Sequence, residues 1–182
     1  GPILLWADLF PGARVVEAGV GAGALSMVLL RAIGDAGLLI SYEIREDFAE
    51  LAQKNVARYF GAAPNWTVKL GDVATDLAEN DMDRVILDLP EPWQAIERAW
   101  TALRPGGFLL CYLPTVLQVK SLVDALRIDK RFACIETSEN LMRFWHFKGM
   151  SARPQHRMVA HTGFLTSARR LADGEKDIPR AP

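Results

Sequence analysis

Short apolar runs separated by stretches of helical periodicity fill most of this chain. Val15-Val16-Glu17-Ala18, Leu38 to Glu43, Trp66 to Leu70, Asp83 to Asp88 and Phe108 to Leu113 read as strands. Each is brief, rich in β-branched or large apolar residues, and bounded by glycine, proline or an acid. Between them, Ala24 to Ile33, Glu46 to Phe60, Trp93 to Leu103 and Leu117 to Ile128 carry apolar residues at helical spacing. Phe48, Leu51, Ala52, Val56 and Tyr59 form one such stripe, and the acids that open it suit the positive end of a helix dipole. Arg104-Pro105-Gly106-Gly107 is expected to close the third helix. Alternation of strand and helix implies parallel strands joined by right-handed crossovers, an α/β fold. The stretch from Phe132 to Leu171 is richer in aromatics. Its best strand is Thr162 to Thr166, expected in an antiparallel hairpin at the sheet's end. Residues 172–182 lack apolar periodicity and read as a flexible tail after a domain spanning 1–171.

Composition narrows the class. At 182 residues and 50% hydrophobic content, one well-buried domain is expected. Lys+Arg 21 against Asp+Glu 22 gives no overall field for a polyanion, so a nucleic acid would be held by local patches or by other subunits. Two cysteines, Cys111 and Cys134, are expected as reduced, buried thiols of a cytoplasmic protein. No apolar run approaches the roughly 18 residues of a membrane span, and no signal peptide opens the chain.

The chemistry concentrates where strands end. Glu17-Ala18-Gly19-Val20-Gly21-Ala22-Gly23-Ala24-Leu25 carries an apolar strand into a tight glycine turn that opens a helix. Glycines at alternate positions let the backbone approach a ligand and leave helix N–H groups aimed at it. Dinucleotide enzymes usually space these glycines G-x-G-x-x-G. The contracted G-x-G-x-G with a glutamate two residues ahead resembles motif I of S-adenosylmethionine-dependent methyltransferases. Glu43 follows twenty residues beyond Gly23, at the end of the next strand, where an acid accepts hydrogen bonds from ribose hydroxyls. Asp72 and Asp88 also end or follow strands. In open α/β sheets such positions converge on one crevice. Two prolines in Asp88-Leu89-Pro90-Glu91-Pro92-Trp93 fix φ directly after the strand and stiffen a loop bearing a carboxylate and an indole.

From about Leu9 to Leu171 the chain resembles the catalytic domain of the tRNA (adenine-58-N1)-methyltransferases, particularly the bacterial and archaeal homotetrameric kind. Four segments carry the resemblance: Glu17 to Gly23; Asp88 to Trp93; Tyr112-Leu113-Pro114-Thr115 with Gln118; and Arg153-Pro154-Gln155-His156 followed by His161-Thr162-Gly163-Phe164-Leu165. Family members often have serine at the position of Ala22. They also carry a small N-terminal β-domain and a lysine-containing segment ahead of the first helix, for which these residues show no counterpart. The resemblance implies a Rossmann-like class I methyltransferase with a mostly parallel seven-stranded sheet and a C-terminal antiparallel hairpin. It implies S-adenosyl-L-methionine held by Glu17, Gly19, Gly21, Gly23, Ala24, Leu25, Glu43, Asp72, Val73 and Asp88. It further implies a tRNA adenosine met by Pro90, Trp93, Tyr112, Gln118, Arg153 and His156, with Asp88 and Tyr112 catalytic and a homotetramer as the assembly. No metal is expected, because His156 and His161 stand outside any helical H-E-x-x-H frame. Arg153, Arg157 and Lys148 interleave with Phe144, Trp145 and Phe147, a mixture that suits RNA.

Adenine N1 keeps its lone pair at neutral pH, so attack on a sulfonium methyl needs alignment more than a general base. The methylated ring is cationic, and a carboxylate near the 6-amino group, for which Asp88 is the choice, stabilises that charge as it develops. Because N1 lies on the Watson–Crick edge, the base must leave its fold and enter a pocket. Two other readings use the same residues: a methyltransferase acting on a small molecule or protein, and a non-catalytic tRNA-binding partner subunit. An intact glycine loop with Glu43 and Asp88 speaks against the second.

Overall fold

Nine strands are present in the computed structural model, which describes residues 1–176. They are β1 (Arg14–Ala18), β2 (Leu38–Glu43), β3 (Trp66–Leu70), β4 (Met82–Leu87), β5 (Leu103–Leu113), β6 (Phe132–Glu139), β7 (Trp145–Lys148), β8 (Ser151–Pro154) and β9 (Phe164–Arg170). Seven form one sheet in the order β3-β2-β1-β4-β5-β9-β6. From β3 to β5 the pairing is parallel, and β9 runs antiparallel between β5 and β6. The helices are α1 (Pro2–Trp6), α2 (Ala24–Ile33), α3 (Glu46–Tyr59), α4 (Val73–Asp76), α5 (Ile96–Ala102) and α6 (Val116–Asp129).

Period-two alternation along the central strands feeds two apolar layers. Val15, Leu39, Ile86 and Leu110 face Leu29, Leu30 and Ile33 of α2, Val56 of α3 and Ile3 of α1. Val16, Val85, Leu87, Leu109 and Cys111 face Ala99 and Ala102 of α5 and Leu122 and Leu126 of α6. Arg84, beside the likewise buried Asp83, breaks this apolar pattern on β4. Its buried guanidinium donates to the Ala7, Asp8 and Asp83 carbonyls and meets the Asp8 carboxylate at 3.1 Å, with the Phe10 and Phe108 rings 5.2 and 5.0 Å away. One side chain thus fastens the segment leading into β1.

The alternating α/β pattern is realised, and its boundaries move where tertiary pairing overrides local signals. Arg104-Pro105-Gly106-Gly107 does not end a helix but bulges inside β5. Leu103 pairs with Met82 and Phe108 with Arg84, and Gly106 absorbs the extra length at φ +78°. The expected helix from Trp93 to Leu103 divides into a 3₁₀ turn at Pro92–Ala95 and α5, because Pro92 tightens the entry. The strand expected at Thr162 to Thr166 is β9, which begins at Phe164, and its partner β6 was visible only as part of an aromatic-rich stretch. A register shift between Ala133 and Glu136 interrupts the alternation of β6. Cys134 sits in that shift at φ +53° and is exposed, correcting the expectation of two buried thiols; Cys111 is buried. β7 and β8 form a separate two-stranded hairpin. Of the expected tail at 172–182, residues 177–182 lie outside the described residues.

Candidate functional site

Every parallel strand ends at the same edge of the sheet, and a cavity of about 250 Å³ opens there. Gly19, Glu43 and Asp72, which end or follow strands, line it together with Val73 and Pro90, whereas Asp88 and Tyr112 stand beside it, outside its wall. Gly19 leaves β1 at φ +84°, and a Cβ there would run into the Asp88 carbonyl. Only glycine lets the loop after β1 lie this close to the end of β4. Gly21 donates its N–H to Glu43 Oε2 at 3.1 Å, while Arg45 N–H donates to Oε1 at 3.1 Å, so the carboxylate ties the glycine loop to the end of β2. Asp72 caps α4, accepting the Ala74 N–H at 2.8 Å on Oδ1, and faces the cavity as well.

Glu17 lies under the loop rather than in the cavity wall. Its side chain has no exposed surface, and Oε2 accepts hydroxyl protons from Ser26 at 2.7 Å and Ser41 at 2.6 Å. Trp66 Nε1–H donates in turn to Ser41 Oγ at 2.9 Å, and Glu17 Oε1 has no partner among the described residues. Burial pushes the carboxyl up to about 7 against the two hydroxyl hydrogen bonds, and the nearby Asp88 charge adds to the rise.

Asp88 follows β4, and its backbone N–H donates to Ala18 O at 2.9 Å. The surrounding protein desolvates its carboxylate and raises its pKa. Because Leu87 pairs with Ala18 on one side and Cys111 on the other, the next residues along β1, β4 and β5 are Gly19, Asp88 and Tyr112. The three stand in a row across adjacent strands. Tyr112 is half-buried and donates its hydroxyl to the Thr162 carbonyl; a Cβ on Gly163, at φ +139°, would lie 2.5 Å from the tyrosine ring.

The other expected residues fall elsewhere. Gly21, Gly23, Ala24 and Leu25 turn into and open α2, beside the cavity but outside its wall. Trp93 packs against the core at the 3₁₀ turn. Both polar ends of Gln118 are engaged: Oε1 accepts from Thr115 Oγ1 at 2.6 Å and Nε2 donates to Pro90 O at 3.0 Å, closing the α6 cap onto the proline loop. Arg153 on β8 and His156, two residues beyond that strand, contact each other and are not part of the cavity wall. Sequence reasoning missed Ile44, Gln94 and Ala95 in that wall. Ile44 is 70% exposed directly after a strand-end acid, and nothing local in the sequence marks it or Gln94 as a cavity residue.

Residues 3–153 match the family described as "tRNA methyltransferase complex GCD14 subunit". The chain belongs to this family. A relative named tRNA (adenine(58)-N(1))-methyltransferase TrmI, from Thermus thermophilus, is 42% identical over 90% of this chain and 64% of its own length. The Methanocaldococcus jannaschii protein named tRNA (adenine(57)-N(1)/adenine(58)-N(1))-methyltransferase TrmI is 37% identical over 93% of this chain and 68% of that protein. This member of the family therefore spans about two thirds of the length of those relatives. Among solved structures, a Thermotoga maritima protein named a SAM-dependent O-methyltransferase superposes with a TM-score of 0.89 at 36% identity, covering 96% of this chain and 65% of that one. The tRNA (m1A58) methyltransferase TrmI from Aquifex aeolicus superposes at 0.83 with 31% identity, covering 93% and 67%. The fold is the class I methyltransferase α/β fold.

Proposed function

We propose that residues 1–171 form the catalytic unit of an enzyme that transfers the methyl group of S-adenosyl-L-methionine to N1 of adenosine 58 in the T-loop of tRNA. The observation that supports it most is the row of Gly19, Asp88 and Tyr112 across adjacent strand ends, beside a cavity walled by Glu43, Asp72 and Val73.

The residues present fit the cofactor. A glycine loop that packs against the end of β4 only because Gly19 lacks a Cβ, a carboxylate at the end of β2 with lone pairs to spare, a capping aspartate and the exposed apolar Ile44 match the needs of an adenosine. When bound, S-adenosylmethionine supplies an electrophilic methyl group on a sulfonium. Glu43, which keeps the glycine loop in place, would hold the ribose hydroxyls, and Asp72 would accept from the adenine amino group. Asp88, with no hydrogen-bond partner for its carboxylate among the described residues, is free to stabilise positive charge beside it. Tyr112, braced by Thr162 and Gly163, offers a ring wall to a target base. Glu17 supports the loop from beneath.

Phe144, Trp145 and Phe147, each more than half exposed, share the hairpin region with Lys148 and Arg153. Their exposure supports both an RNA-facing role and self-assembly into the homotetramer the resemblance implies. No helix among the described residues is long and apolar enough to cross a membrane, and a tRNA substrate fits a cytoplasmic location. Incubating an unmodified tRNA transcript with radiolabelled S-adenosylmethionine and mapping the labelled nucleotide tests the proposal. Label at position 58 that vanishes when the base is guanine supports it. Efficient methylation of small hydroxylated acceptors with tRNA untouched would favour the O-methyltransferase reading that the Thermotoga neighbour's name suggests.

A further inference from the structure

We infer that His161 is a positioning residue which, as an imidazolium, staples the turn after β5 and the end of β6 to the segment that braces Tyr112. Its Nδ1 lies 2.6 Å from Glu139 Oε1 and its Nε2 lies 2.7 Å from the Pro114 carbonyl oxygen. A backbone carbonyl only accepts, and so does an ionised carboxylate. A neutral imidazole has a single N–H and would turn its remaining lone pair onto one of these oxygens. Both contacts are satisfied together only by the doubly protonated ring. The ring also tilts against Phe164, with centroids 5.0 Å apart.

This staple joins three separate stretches of chain. Pro114 lies two residues beyond Tyr112, Glu139 ends β6, and His161 immediately precedes Thr162, whose carbonyl accepts the Tyr112 hydroxyl. Gly163 then packs where any side chain would strike the tyrosine ring. Glu139 is the titratable group that faces the imidazole among the described residues; the β5 side contributes the Pro114 carbonyl and the β9 side the Phe164 ring. Glu139 and Pro114 both hold the imidazole's pKa above the ordinary histidine value. Since the folded value is the higher one, the staple is complete at low pH and opens as pH rises through it.

The contribution to methyl transfer rests on the proposed role of Tyr112 at the target base; the staple itself does not. The test follows the histidine and tyrosine ring resonances of the whole chain by NMR across pH. His161 is expected to titrate above about 6.5, the free histidine value, with the Tyr112 ring signals shifting at the same midpoint. In Glu139→Gln that midpoint falls. In His161→Gln the Tyr112 signals lose their pH dependence while affinity for S-adenosylhomocysteine stays within about twofold of the parent. In a tRNA assay, kcat declines along the same curve with little change in the KM for cofactor. A His161 midpoint at or below the free value, or Tyr112 signals indifferent to it, overturns the staple. The coupled titration without tRNA methylation would uphold the staple and overturn the proposed substrate.

Discussion

Replacing Glu17 by glutamine should flatten the pH dependence of stability. In the folded chain the Glu17 carboxyl is raised from 4.5 to about 7, chiefly because burial penalises its charge. The unfolded chain, with an ordinary glutamate, gives up its proton near 4.5. Between these values the folded state holds one more proton than the unfolded state, so stability falls as pH rises. A difference of roughly 2.5 pH units at 1.36 kcal/mol each gives a loss of about 3 kcal/mol, complete slightly above pH 7. The stabilisation is whole below pH 4.5. Glutamine keeps an oxygen for the Ser26 and Ser41 hydroxyls and cannot ionise, so its own cost, a buried amide N–H₂ lacking acceptors, is the same at every pH. Urea unfolding of both proteins from pH 4.5 to 8 isolates the effect. The parent should lose about 3 kcal/mol relative to Glu17→Gln across that range. Parallel curves would show that the carboxyl titrates normally and that the Ser26–Glu17–Ser41 cluster holds an ordinary ionised acid.

Asp88→Ala removes an exposed carboxylate beside the cavity, so stability should change by less than about 1 kcal/mol, whereas single-turnover methyl transfer should fall by roughly 10²–10³. Gly19→Ala puts a Cβ against the Asp88 carbonyl at a left-handed φ; calorimetry should register at least about a tenfold loss of S-adenosylhomocysteine affinity. Arg84→Met strands the Ala7, Asp8 and Asp83 carbonyls and should cost about 2–4 kcal/mol in chemical denaturation, with no change in cofactor affinity for the fraction that remains folded.

The glycine loop, Glu43, Asp72 and Asp88 were legible because each is a local signal, a turn or an acid at the end of an apolar run. Strand direction then sends all of them to one edge. Ile44 and Gln94 were not legible as cavity residues, since neither has a local conformation that marks it and only neighbouring loops make them a wall. Gln118 shows the reverse. Its helix position was right, but tertiary contacts with Pro90 and Thr115 occupy the amide that was expected to meet a base.

By itself the sequence determined the alternation of strands and helices, the parallel sheet and the identity of the cofactor-side edge, since these follow from periodicities and turns within a dozen residues of one another. Only the tertiary structure decided that Glu17 would be sealed beneath the loop, that β9 would slip between β5 and β6, and that His161 would meet Pro114 and Glu139. These depend on residues between 9 and 61 positions apart coming into contact. Burial, pairing register and the proton count of a histidine are properties of such encounters, and no local stretch of chain encodes them.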